Sequence, residues 1–133
     1  YADVLLSLAE AVNEQGRWQE AVSYVNRVRN RAGVALLNAP GNTNTKVSGV
    51  EEMRVRIRNE KKWELACEEQ LYFEELRWGT WKTDKFVAKN GLQNVWGAPV
   101  YTYIWGGDAY LKWAIPQSEV EKNTNIKQNE GWN

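Results

Sequence analysis

From Asp3 to Gln15 the apolar positions Val4, Leu5, Leu8, Ala11 and Val12 recur at the i, i+3, i+4 spacing of one helix face. Gly16 then suits the left-handed turn that ends a helix. A second helix is expected from Trp18 to Ala32, with Ala21, Val25 and Val28 inward and Gly33 as its stop. Two helices on so short a link form an antiparallel hairpin. Leu5, Leu8, Ala9, Val12, Gly16, Trp18, Ala21, Val25 and Val28 fit the small–large pattern of one tetratricopeptide-type repeat, with Ala9 and Ala21 at the close approach. No second copy follows. A lone repeat cannot bury both faces, so this is either a generic helical hairpin or the last of several repeats, its companions upstream.

Pro40, Gly41, Asn42 and Asn44 mark residues 33 to 48 as a surface loop. Ser48-Gly49-Val50-Glu51 reads as a capping box, with Ser48 taking an amide and Glu51 reaching back. A long helical segment over 48–79 carries Val50, Met53, Ile57, Leu65, Tyr72, Phe73 and Leu76, and its apolar phase drifts near 68 to 71, where a break is expected. Residues 80 to 98 read as loop, with Asn90-Gly91 as a turn. Val100 to Trp105 and Tyr110 to Ile115 read as the two strands of a hairpin joined through Gly106-Gly107-Asp108. Pro116 closes it, and one helical turn is expected near Ser118 to Glu121. The architecture so predicted is mainly α: a tetratricopeptide-like hairpin over 1–33, a long helical segment over 48–79, and an aromatic, loop-rich part with a small β-hairpin over 80–133.

Composition narrows the chemistry. With 133 residues, 43% apolar and 26% charged, the chain is an ordinary globular size and mixture. Seventeen basic residues balance seventeen acidic ones, so no overall field draws nucleic acid or anionic lipid. The absence of histidine excludes His-based triads and His metal ligands within this chain, and a single Cys67 allows neither an internal disulfide nor a Cys-rich metal cluster. No cofactor or metal is expected. The opening Tyr1-Ala2-Asp3 has no basic stretch and no cleavage site of a leader, and helical periodicity is already under way at residue 2. It reads as the C-terminal part of a longer protein.

Glu60, Glu64 and Glu68 share one helix face at four-residue spacing, and Arg27, Arg29 and Arg31 close the preceding helix. Glycosidase carboxyls must flank a scissile bond, about 5–9.5 Å apart on opposite sides. Neighbours on one face point the same way, so a structural ion network of Arg29, Arg31, Glu60 and Glu64 is the expectation. Arg54, Arg56, Arg58, Lys61 and Lys62 alternate with acids, as on a solvated, salt-laced helix. Cys67 is expected to be packed as a small buried residue.

Eight Trp and six Tyr stand out. Trp18, Trp63, Tyr72, Phe73 and Trp78 lie at helical positions where core packing accounts for them. Trp81, Trp96, Tyr101, Tyr103, Trp105, Tyr110 and Trp113 fall in a Gly- and Asn-rich region, where a flat ring beside amides and carboxylates suits a sugar. The candidate stacking platform is Trp96, Tyr103 and Trp105, with Asp108 as a hydroxyl acceptor. Tyr103 and Trp105 are two apart on the expected strand and share a face, and Gly106-Gly107 leaves that face open.

Five motifs in series carry a resemblance. Tyr1-Ala2-Asp3-Val4-Leu5-Leu6 with Ala9-Glu10-Ala11, then Asn26-Arg27-Val28-Arg29-Asn30-Arg31-Ala32-Gly33, are followed by Ile57-Arg58-Asn59-Glu60-Lys61-Lys62-Trp63-Glu64-Leu65-Ala66. Arg77-Trp78-Gly79 comes next, and Ile115-Pro116, Glu119, Asn123 and Gln128-Asn129-Glu130-Gly131-Trp132 close the series. In this order they resemble the C-terminal part of the SusD/RagB family. Lys61-Lys62 stands where the family usually has an Arg pair, and Glu69 and Leu71 where it has Gly and Arg. The resemblance implies a SusD-like, mainly α fold and an outward-facing outer-membrane lipoprotein anchored upstream of these residues. It implies no catalysis, oligosaccharide or polysaccharide as ligand, and a SusC-like TonB-dependent transporter as partner. No sugar contact carries over, because no matched motif binds ligand. The alternative is a tetratricopeptide-type scaffold that binds protein or peptide and no sugar.

Overall fold

A computed structural model describes residues 1–83, 92–93, 99–101 and 106–132. The chain divides into two compact units, Tyr1–Leu71 and Tyr72–Asn133. In the first, α1 (Ala2–Glu14) and α2 (Trp18–Arg31) pack together along a turn in which Gly16 takes φ +81°, a conformation that costs a residue with a Cβ. Ala9 and Ala21 are both fully buried, so the two helices meet through small side chains. A third helix, α3 (Val50–Glu64), packs on both. Leu5, Leu6 and Val12 of α1, Val25 and Val28 of α2, and Met53 and Ile57 of α3 form the interior.

The inward stripe of α1 differs from the expected one. Leu5, Leu6, Ala9, Val12 and Asn13 are buried, whereas Val4 is 65% and Leu8 41% exposed. Two apolar stripes overlap on this helix and share Leu5 and Val12. The one that faces both α2 and α3 is the one that is buried. Asn13 is tolerated there because its side-chain amide donates to the Val50 carbonyl at 3.1 Å.

The loop between α2 and α3 also contributes to the core. Asn26 brackets Leu37, accepting from its N–H at 2.7 Å and donating to its carbonyl at 3.2 Å. Asn38, at φ +58°, accepts from Val47 N–H at 2.8 Å. Leu37 and Val47 are thereby folded under the polar run and buried. At the start of α3 the expected cap is shifted by one residue. Glu52, rather than Glu51, reaches back and accepts from both the N–H and the hydroxyl of Ser48 at 2.7 Å each. Glu51 is held instead by Arg54.

The long segment is two helices. The chain leaves α3 at Leu65, turns through Cys67 at φ +67°, and resumes as α4 (Gln70–Arg77), so the break precedes the expected one by a few residues. That turn leaves Cys67 exposed, against the expectation of burial. Trp63 and Phe73 are each 64% exposed, so core packing accounts for neither.

In the second unit β1 (Leu92–Gln93) pairs antiparallel with β2 (Pro99–Tyr101), Leu92 opposite Tyr101 and Gln93 opposite Pro99. The expected strand pair is therefore not formed. Asp108–Leu111 is a 3₁₀ turn entered through Gly107 at φ +115°, and the strand predicted from Tyr110 to Ile115 is absent. Gly106-Gly107 gives the backbone the freedom for a tight turn of either kind, which local pattern cannot separate. A last short helix, α5 (Gln117–Lys122), follows Pro116.

Candidate functional site

The charged cluster of the first unit shows what its motifs do. Arg29 Nη1 donates to Glu60 Oε2 at 2.6 Å, and the two side chains are only 12% and 8% exposed. Arg29 Nε also donates to the Ala35 carbonyl at 2.7 Å. Arg31 Nη2 reaches both oxygens of Glu64 at 2.5 and 2.6 Å, in a more open setting. Arg27 goes elsewhere, donating to the Tyr1 hydroxyl and lying over its ring. Arg29, Arg31, Glu60 and Glu64 are thus brought together between α2 and α3.

Lys61 overturns the picture of a uniformly solvated basic helix. It is fully buried, donates to Ser7 Oγ at 3.1 Å, and lies 3.4 Å from Glu10 Oε2 and 3.9 Å from Asp3 Oδ1. A buried ammonium requires such partners. Two turns earlier on α3, Arg54 forks onto Glu14 with two bonds of 2.7 Å, which holds the Glu14 carboxyl below its ordinary 4.5. A cleft of about 380 Å³ bounded by Tyr1, Asp3, Arg27, Arg31, Glu64 and Glu68 carries both signs of charge, and its arginines and Glu64 already have the partners described. Among the described residues no group of three or more His, Cys, Asp and Glu could hold a metal, and no helix is long and apolar enough to cross a membrane.

Of the expected sugar platform, Trp96, Tyr103 and Trp105 lie outside the described residues. Asp108 opens the 3₁₀ turn, 73% exposed, and accepts from Lys82 Nζ at 3.1 Å.

A different aromatic groove does stand among the described residues. It measures about 380 Å³ and is lined by Tyr72, Lys112, Trp113, Ala114 and Trp132. The closing motif builds it. Gln128 reads Ile115 as a neighbouring strand would, its Oε1 accepting from Ile115 N–H and its Nε2 donating to Ile115 O, both at 2.8 Å. Asn129 Nδ2 donates to the Trp113 carbonyl at 2.6 Å. Trp132 Nε1 donates to Lys112 O at 2.8 Å and Ala109 O at 3.0 Å, which satisfies the indole's one polar atom and fixes its ring. Gly131, at φ +89°, makes this return: a Cβ there would fall 2.4 Å from Ala109 Cβ. Tyr72 stands against Trp81 edge-to-face, centroids 4.8 Å apart.

The outcome is an anchored main chain with unburied rings. Trp113 is 83% and Trp132 37% exposed. Among the described residues no carboxylate pairs with Lys112. The flat apolar faces can stack on a ring, and the ammonium beside them can donate to its oxygens. Sequence reasoning named Trp113 only as one member of the aromatic group, because it placed residues 110 to 115 on a strand. The signal that could have singled it out was Gln128-Asn129, two side-chain amides with no apolar role thirteen and sixteen residues from the main chain they hold.

The model of the SusD family matches residues 1–132. SusD-like protein P2 of Formosa agariphila is 33% identical over 132 residues, covering 97% of this chain and 24% of that protein. Starch-binding protein SusD of Bacteroides thetaiotaomicron is 31% identical over 133 residues, covering 98% of this chain and 20% of its own length. The crystal structure of a SusD-like protein from Bacteroides fragilis superposes with a TM-score of 0.76 at 26% identity, over 99% of this chain and 25% of that one. The chain therefore spans about a quarter or less of the proteins it matches.

Proposed function

The chain belongs to the SusD family, and from that premise we propose that it is part of a non-catalytic glycan-binding subunit of an outer-membrane nutrient-import complex. The observation that carries this reading is the likeness, along the whole chain, to a starch-binding relative. In this role the protein captures oligosaccharides at the outer face of the cell for a SusC-like TonB-dependent transporter, held at the membrane by a lipid anchor elsewhere in the protein. The arrangement of carboxylates agrees with a binder: Glu60 and Glu64 are each engaged by an arginine.

Titration calorimetry of the full-length protein against malto-, cello-, xylo- and galacturonate oligosaccharides tests the reading. Saturable binding of at least one, with the sugar recovered intact, is expected. Binding of none overturns it and favours the peptide-binding alternative, for which the exposed Tyr1 and, on α1, Val4 and Leu8 offer an apolar stripe. Co-purification with an outer-membrane transporter tests the partnership separately.

A further inference from the structure

We propose that the groove formed by Tyr72, Lys112, Trp113 and Trp132 is a sugar-stacking subsite, with the C–H face of a pyranose on the Trp113 indole and a sugar oxygen accepting from Lys112 Nζ. The inference rests on the glycan-binding reading and adds to it a place and a contact.

Four observations carry it. The ring of Trp113 is 83% exposed while its own carbonyl is tied down by Asn129 at 2.6 Å, so the main chain that carries the ring is held in place. Trp132 lines the same groove, and its indole N–H is held by two main-chain carbonyls. Such preorganisation lowers the entropy lost on binding. Lys112 supplies a donor at the same spot, and among the described residues no carboxylate competes for it. The size decides between a small ligand and a protein. About 380 Å³ lies within the roughly 300–1,000 Å³ of small-molecule sites, whereas a stable protein interface needs about 800 Å² on each partner.

A sugar oxygen facing Lys112 belongs either to a hydroxyl or to a uronate carboxylate. Both accept from an ammonium, and salt separates them, since only the second is an ion pair.

The test is calorimetry of the full-length protein with the same four oligosaccharide classes, comparing wild type with Trp113→Ala, Trp113→Tyr, Lys112→Gln and Trp63→Ala. Trp63 is an exposed indole on α3 that does not line the groove, and is the control. Trp113→Ala is expected to weaken whichever oligosaccharide the wild type binds by about ten-fold, the scale of losing one stacked ring. Trp113→Tyr restores most of that loss, and Trp63→Ala changes nothing. Lys112→Gln weakens a galacturonate oligosaccharide strongly at low salt and weakly at high salt, and a neutral one by a small, salt-independent factor. Wild type that binds one of the sugars while Trp113→Ala binds it equally well overturns the subsite and leaves the glycan-binding reading standing. Wild type that binds none overturns both. Oxidation of Trp113 by N-bromosuccinimide is a second readout: protection by the bound oligosaccharide supports the stacking, and oxidation unchanged by saturating sugar contradicts it.

Discussion

The two units hold their shapes by different means. In Tyr1–Leu71 three helices of 13, 14 and 15 residues bury a shared apolar interior, and the charges between them are paired across long sequence separations. In the described part of Tyr72–Asn133, α5 has six residues and buries none of them, and Glu75 is the residue that is fully enclosed. Helices that short do not persist alone. What fixes the second unit is amide and indole side chains bonded to main-chain carbonyls and N–H groups over spacings of 13 to 23 residues. The comparison teaches that the main chain beneath exposed rings can be anchored by side chains bonded to it, without the rings being buried. A packed helix face spends its large side chains on the core; a hydrogen-bonded clamp leaves them at the surface.

The largest effect that would break the comparison is expected in the first unit. Glu60→Ala leaves Arg29 buried without its acid and should cost about 3–5 kcal/mol, read by urea unfolding. A loss under about 1 kcal/mol would put this pair with ordinary surface pairs. Next comes Gly131→Ala, which forces a Cβ onto Ala109 and a Cβ-bearing residue into φ +89°; about 1–3 kcal/mol is expected from the overpacking alone. Hydrogen exchange should show the loss confined to residues 107–132. If α1 to α3 lose protection equally, the two units unfold as one and the distinction fails.

Gln128→Ala removes two bonds to Ile115 and should cost about 1–2 kcal/mol, with Trp113 fluorescence less anisotropic as its segment loosens. Trp113→Ala should change stability by less than about 0.5 kcal/mol, as an exposed side chain does, which separates binding from folding at this position.

The smallest effect is one of pH. Hydrogen bonding from Arg54 lowers the Glu14 carboxyl, and hydrogen bonding from Ser48 lowers that of Glu52, each from an ordinary 4.5. Such groups bind fewer protons folded than unfolded, so their stabilisation is complete above that value and is lost as pH falls through the lowered ones. The melting temperature of the first unit should therefore drop below about pH 4.5, and Arg54→Gln should flatten the part due to Glu14.

Much of the first unit was legible. Ala9, Ala21, Gly16 and Gly33 mark a helical hairpin through residue size and glycine's backbone freedom, which are local properties. The four-residue spacing of Glu60 and Glu64 places both on one face because neighbouring turns stack, whatever surrounds them. Lys61 was not legible: beside Lys62 it reads as solvated, and partners such as Ser7, Glu10 and Asp3, more than fifty residues earlier, make its burial tolerable. The groove was missed for a related reason. Gly106-Gly107-Asp108 serves a hairpin or a 3₁₀ turn equally well, and the choice goes with the bonds that Trp132 makes to Ala109 and Lys112.

By itself, then, the sequence determined where helices form, because the contacts that stabilise a helix lie within four residues and repeat along the chain. It also determined kinship, since ordered motifs survive in the text whatever the geometry. Only the tertiary structure decided which of two apolar stripes on α1 turned inward, which lysine was buried and which tryptophan was left open. Each of those outcomes depends on a partner distant in the chain, and distance along the chain carries no record of who will be the neighbour in space.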